Sequence, residues 1–236
     1  MRDYARQMRE YNMPLQLQFL FLTWQTILNL MGRNDDPWVL SGEVMSQEKM
    51  LQVADNDNNP ALRSQYQCHR LQLAVYFGEY ELAAKLSGLA SDIKKTNPSK
   101  PMIWRTALFE GITAFEMVRR GKIKWKGTAM KALTKIEKWV QAGNVNCVHI
   151  LFMLQAEKAA SEYDIKEART LYDKAIATSA CNGFPNDKAL ASERCGGILY
   201  HAGDEDWATD YFKKAHEAYS EIEAFGKIDQ INNRGD

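Results

Sequence analysis

Apolar residues return every three to four positions through most of the chain, and polar residues gather on the faces between them, which is the period of amphipathic helices. No run alternates Val, Ile and Thr with polar residues between turn signals, so no strand is predicted. Pro14, Pro60, Pro101 and Pro185 stand near the start of periodic runs, where a missing N–H costs nothing. Gly32, Gly78, Gly121, Gly143, Gly183, Gly203 and Gly226 mark the other ends. Together they predict eleven helices: Arg2–Asn12, Pro14–Met31, Ser41–Asp55, Asn59–Phe77, Tyr80–Lys95, Met102–Arg120, Lys126–Ala142, Asn144–Tyr163, Asp164–Ser179, Asn186–Ala202 and Asp204–Phe225. Asp164 with Glu167 reads as a capping box, and Asn59 before Pro60 as an N-cap with its preferred successor. The loop Arg33–Leu40, with Asp35, Asp36 and Pro37, is too polar to continue a helix. The joints Gly78-Glu79, Tyr163-Asp164 and Gly203-Asp204 are so short that the helices they connect must pack antiparallel.

The chain also resembles itself. Ala168, Tyr172 and Ala175 are spaced as alanine, aromatic and alanine, and Ala208, Phe212 and Ala215 repeat that spacing forty residues later. With Gly196 and Gly203 the second copy reads G-x6-G-x4-A-x3-F-x2-A, which resembles the tetratricopeptide repeat at its small and aromatic positions. Gly78, Ala83 and Ala90 make a partial third copy with Ser87 at the aromatic place, and Gly111 with Gly121 a weak fourth. Small residues let two helices approach closely, the aromatic fills the wedge beside them, and each pair needs a neighbour to cover its apolar face. Trp207, Ala208, Tyr211, Phe212, Ala215, Tyr219 and Ile222 form one apolar stripe, opposite Asp206, Asp210, Lys213, Lys214, Glu217 and Glu221. The expectation is an all-α, tetratricopeptide-like α–α superhelix of about eleven antiparallel helices. It forms a single domain over 1–231, with the repeat clearest in 144–225, and ends in a disordered tail at 232–236.

Three segments carry a narrower resemblance: Trp24–Gly32 (WQTILNLMG), Leu40–Glu43 (LSGE) and Asn182–Arg194 (NGFPNDKALASER), the last leading to Ala224–Lys227 (AFGK). They resemble the tetratricopeptide-like helical region of multidomain signalling proteins. There the region follows an AAA-type, STAND-like ATPase, often with a protein kinase before it and a histidine-kinase or nucleotide-cyclase output after it. The likeness spans roughly Met13 to Ile231. It implies an isolated helical tail, either a fragment of such a protein or a stand-alone derivative, and carries ATP binding and kinase activity to no residue of this chain.

Hydrophobic residues make up 45% and charged residues 25%, an ordinary globular composition that argues against disorder. Thirty basic and thirty acidic side chains cancel, so any charged partner must meet a local patch. Cys68, Cys147, Cys181 and Cys195 form no C-x-x-C pair and no signal peptide is evident, which reads as reduced thiols in a cytoplasmic protein. Met13–Met31 is apolar enough to suggest a membrane span, but Gln16, Gln18, Gln25 and Asn29 argue for a buried amphipathic helix.

No catalytic motif emerges. Gly121 to Thr128 has the wrong spacing for a phosphate loop, and His216-Glu217 lacks the second histidine of a zinc protease. Cys68-His69, Cys147 with His149 and Cys195 with His201 read as core thiols and imidazoles rather than zinc ligands. Trp104, Trp125, Trp139 and Trp207 read as interhelical packing, with a ligand-groove lining as the functional alternative. No metal and no cofactor is expected, and any enzymatic activity would belong to other domains. The segment Arg119, Arg120, Lys122, Lys124, Trp125 and Lys126, extended by Lys131 and Lys135, is the candidate partner-binding site. Ala168, Tyr172, Ala175, Gly196, Gly203, Ala208, Phe212 and Ala215 are the structural repeat positions. The expected partner is a protein, a peptide or a neighbouring domain. The alternative is a nucleic acid on the basic segment 119–135, against which the zero net charge weighs. No membrane partner is expected. The terminal Arg234-Gly235-Asp236 matches an adhesion tripeptide by letter alone.

Overall fold

A computed structural model describes residues 1–90 and 101–233. Every regular element among the described residues is helical: α1 (Arg2–Glu10), α2 (Pro14–Leu30), α3 (Gln47–Asn56), α4 (Pro60–Tyr76), α5 (Tyr80–Ala90), α6 (Met102–Arg119), α7 (Lys126–Gln141), α8 (Val148–Ser161), α9 (Ile165–Cys181), α10 (Pro185–His201), α11 (Glu205–Glu221) and α12 (Phe225–Asn232). Short 3-10 turns at Ile123–Trp125 and Val145–Cys147 precede α7 and α8. The chain divides into two compact units, Met1–Thr106 and Ala107–Asp236. None of the described helices is long and apolar enough to cross a membrane.

Ten helices end in the same way. Asn12, Gly32, Asn58, Gly78, Gly121, Gly143, Tyr163, Gly183, Gly203 and Glu223 take positive φ. In each case the following residue's N–H donates to the carbonyl five positions back, as Glu79 does to Ala74 and Asp204 to Leu199. This Schellman closure satisfies the last carbonyls and reverses the chain within two residues. Glycine takes the left-handed backbone without steric cost, and Asn tolerates it well. Tyr163 and Glu223 do not belong to that group, and so the glycine punctuation misplaces the chain's end: Gly226, expected as a stop, lies inside α12, and Glu223 makes the turn instead. The additional helix α12 follows from that.

Caps behave as the sequence suggests, with one difference. Asp164 accepts the Glu167 N–H at 3.0 Å, and Asn59 accepts the Leu62 N–H at 3.0 Å. The Asp164 N–H donates to Ala159 in the Schellman turn, so it is not the return half of a capping box. The helix expected from Tyr80 to Lys95 is described to Ala90, and 91–95 lie outside the described residues. So do residues 234–236 of the expected tail, whereas Asn232 closes α12.

In unit 1, the amides of α2 act on the loop that follows. Asn29, fully buried, donates through Nδ2 to the carbonyls of Pro37 (2.9 Å) and Val39 (2.7 Å) and accepts from Gln25 Nε2 (2.9 Å). Gln25 Oε1 accepts the Val44 N–H (3.2 Å), and Asn34 Nδ2 donates to the carbonyls of Val39 (2.8 Å) and Ser41 (2.6 Å). A Cβ on Gly42 would stand 2.5 Å from Gln25 Nε2, so a side chain there would have to displace the Gln25 amide from its partners. This bonding draws 41–45 into a loop. The helix expected from Ser41 therefore starts at Gln47, capped by Ser46. Cys68 and Thr106 meet in the core at 3.1 Å, and all four cysteines are free thiols, with only Cys181 exposed.

In unit 2, the repeat positions pack as small and aromatic partners. A Cβ on Gly196 would lie 3.0 Å from the Phe212 ring and 3.2 Å from the Ala208 carbonyl, so α10 and α11 touch nearly backbone to backbone there. Ala168, Tyr172, Ala175, Ala208 and Ala215 are buried, while Phe212 keeps partial exposure. Gly203 supplies the left-handed turn between the pair. Gly111 does the same work on α6, where a Cβ would strike Leu154 at 2.6 Å and Ala132 at 3.3 Å. The α11 stripe is narrower than expected: Ala208, Tyr211, Ala215, Ala218 and Tyr219 are buried, but Trp207 is exposed.

Candidate functional site

The most concentrated polar chemistry lies in unit 2, between the first helices of successive pairs. Glu157 enters from α8 between the buried alanines Ala156 and Ala159 and is wholly shielded from solvent. Arg194 of α10 grips it with a fork: Nε donates to Oε1 (2.7 Å) and Nη2 to Oε2 (2.9 Å). Tyr172 of α9 donates its hydroxyl to Oε1 (2.6 Å). Arg119 of α6 pairs with Oε2 at 2.7 Å and donates to the Glu157 backbone carbonyl at 3.3 Å. Glu116 ties the same arginines together, accepting from Arg119 (2.6 Å) and Arg194 (3.0 Å) through Oε2 and from Arg120 (3.0 Å) through Oε1.

These groups hold each other in their charged states. Burial alone would raise the Glu157 pKa, but the Arg119 and Arg194 guanidiniums outweigh it and leave the pKa lowered. The Glu116 balance is the same: burial pushes up, Arg194 and Arg119 pull further down. Burial and the Glu157 charge push the Tyr172 hydroxyl well up, so it stays a donor. A general base must accept a proton, and here each Glu157 oxygen already accepts from two side-chain donors. Chemically the cluster is a clamp: two carboxylates and two inward arginines cross-linking four helices.

Similar contacts lie on either side. His149 and Asp187, both buried, pair the starts of α8 and α10 at 2.8 Å, with Phe184 stacked on the imidazole at 4.4 Å between ring centres. Glu193 of α10 accepts from Lys227 Nζ of α12 (2.9 Å) and from the Tyr219 hydroxyl (2.7 Å), and Lys227 is fully buried. The four pairs Arg119–Glu157, His149–Asp187, Glu157–Arg194 and Glu193–Lys227 each join residues 34 to 38 positions apart.

The basic segment divides in two. Arg119 turns inward and is taken by Glu116 and Glu157, and Arg120 is paired with Glu116. Ile123, Lys124 and Trp125 form the 3-10 turn leading into α7, flanked by Lys122 and Lys126; Lys124 and Lys126 are exposed, and Lys122 and Trp125 half-buried. Lys131 is also exposed, and Lys135 lies 5.3 Å over the Trp139 ring. The turn thus presents its charge outward through Lys124 and Lys126. Sequence reasoning misses Glu116, which carries no signal between Phe115 and Met117, and Glu157, for which a glutamate among small residues is the one signal, and takes in Arg194 only within a longer segment. Among the described residues no group of three or more His, Cys, Asp or Glu could hold a metal ion. Comparison with protein-family models, with curated proteins and with solved structures gives no match.

Proposed function

We propose that this chain is a tetratricopeptide-like α–α superhelix serving as a non-catalytic module for protein–protein interaction, or for intramolecular coupling, in a cytoplasmic ATPase- or kinase-linked signalling protein. The observation that carries this reading is the recurring buried pair between first helices. Arg119–Glu157, Glu157–Arg194, His149–Asp187 and Glu193–Lys227 link one helix pair to the next at nearly constant sequence separation. A nearest-neighbour series of that kind makes a scaffold for presenting a surface. The close packing at Gly196 and Phe212 supports it, because it sits at the small and aromatic positions of the repeat. The link to ATPase-containing proteins rests on the segment resemblance alone; within the chain, Gln25 and Asn29 pin the Trp24–Gly32 segment to the loop holding Leu40–Glu43. The candidate contact surface is the turn around Lys124 and Lys126, which are exposed, with Trp125 half-buried between them.

The test is retention of a protein by the immobilised chain, with cross-links from Lys124 or Lys126 mapped by mass spectrometry. Wild type should retain a partner that the K124E/K126E variant loses, and neither should bind ATP. Equal retention by both, or stoichiometric ATP binding, would overturn the reading.

A further inference from the structure

The three turns joining first to second helices in unit 2 fall on one edge. Arg119, at the end of α6, meets Glu157 in the second half of α8, and His149 with Asp187 pairs the starts of α8 and α10. So α6, α8 and α10 run parallel and their C-terminal ends lie side by side. Among the second helices, the Arg169 guanidinium of α9 lies 3.4 Å over the Trp207 ring of α11, which sets the Tyr163 and Gly203 turns next to each other. At interaxial distances of about 8–10 Å, the three turns make a narrow strip about 20–30 Å long.

The strip changes sign along its length. One end carries Lys122, Lys124 and Lys126 around Ile123, which is 66% exposed. The other carries Asp204, Glu205 and Asp206, followed by Trp207 at 41%. At the centre stands Tyr163, 83% exposed and at φ +63°, where the flanking turns use Gly121 and Gly203. A bulky residue in the left-handed region is strained, and this one packs little of its ring in return.

We propose that this edge is a self-complementary interface for a second copy of the chain, the two edges lying antiparallel about a two-fold axis through the Tyr163 turns. The pairing sets Lys124 and Lys126 of each copy against Glu205 and Asp206 of the other, Ile123 against Trp207, and Tyr163 against its own equivalent. The carboxylates beside the axis already have partners, Glu162 with Lys158 at 3.1 Å and Asp164 as the cap of α9. A nucleic acid drawn to the lysines would run along the strip into three carboxylates, whereas a second copy meets opposite charge at both ends. The inference rests on the reading of the chain as an interaction module and names its partner.

Sedimentation velocity on the full chain tests it, from about 1 to about 200 µM. The strip is narrower than a standard interface, so dimerisation should be in the micromolar range. It should weaken at least about tenfold between about 50 mM and about 500 mM NaCl. K124E/K126E and E205K/D206K should each be monomeric, and an equimolar mixture should recover the dimer, because one variant then carries acidic ends and the other basic ends. Tyr163→Gly should raise the unfolding midpoint while weakening the dimer, an opposition that a purely structural tyrosine would not give. Wild type that stays monomeric at low salt, or a mixture that stays monomeric, overturns the proposal. A monomer that still retains an acidic protein or a nucleic acid through Lys124 and Lys126 sinks self-pairing alone; a monomer that retains nothing sinks the module reading with it.

Discussion

Among the described residues of unit 1 the buried polar side chains are uncharged, and in unit 2 the largest group of them is ionic. Gln25, Asn29, Thr26 and His69 are neutral, and the amides among them reach partners 4 to 19 residues away, chiefly each other and the backbone of one loop. Glu116, Arg119, Glu157 and Arg194 reach partners up to 78 residues away on other helices. A lost amide leaves a local vacancy that a loop can rearrange around, whereas a lost guanidinium strands a carboxylate in the core. The neutral cage shapes one segment; the ion cluster joins several.

The largest effect should come from breaking the ionic side. Arg194→Ala leaves Glu157 buried with less than its full set of donors and should cost about 3–5 kcal/mol in urea denaturation. Adding Glu157→Gln should recover part of that loss. A loss below about 1 kcal/mol would show that the cluster is not a shared clamp.

Acid should then separate the two units. Thr26 donates its hydroxyl to the Leu22 carbonyl (2.8 Å), so His69 Nδ1–H donates to Thr26 (3.0 Å) and leaves Nε2 buried without a partner. Burial pushes the His69 pKa down to about 4. A lowered histidine contributes stability that is present above its ordinary value and lost as pH falls toward 4, on the order of 3 kcal/mol. The lowered carboxylates of unit 2 lose theirs only as pH falls below the ordinary carboxylate range. Burial raises Glu110 to about 7 despite Lys135, so its contribution, present at low pH, is lost as pH rises through about 7. Between pH about 7 and about 5, hydrogen exchange should therefore quicken in α2 and α4 while α8 and α10 hold or gain protection. Uniform change in both units would contradict the assignment.

Asn29→Ala should cost about 1–3 kcal/mol, with exchange rising at 37–45 and not in α4, since two carbonyls lose a donor. The smallest effect is a gain. A methyl group on Gly197 would meet nothing within 4 Å, so Gly197→Ala should add about 0.5–1 kcal/mol of helix stability. The adjacent Gly196→Ala should destabilise by pressing on Phe212, and a midpoint moving the same way for both would refute the close approach of α10 and α11.

Much of the helical class was legible because its signals are local. Proline starts, the Asn59 and Asp164 caps, and glycine stops at six of the ten Schellman turns act within one turn of chain. The misses were local rules overridden from a distance. Ser41 does not begin a helix because Gln25 and Asn34 bond that backbone into a loop. Tyr163 and Glu223 make left-handed turns that no propensity favours. Arg119 looked like part of a surface patch because its neighbours are basic, and nothing in 119–126 reveals Glu157 thirty-eight residues on.

By itself the sequence determined the helical period, most helix ends and the small-plus-aromatic spacing of the repeat, because each depends on backbone sterics and neighbours within one or two turns. Tertiary structure alone decided which charges are buried, which arginine faces inward, and how the lysine, tyrosine and carboxylate turns come to share an edge. Those outcomes depend on desolvation and on parallel helices brought together across dozens of residues, and neither is written in any short window of the chain.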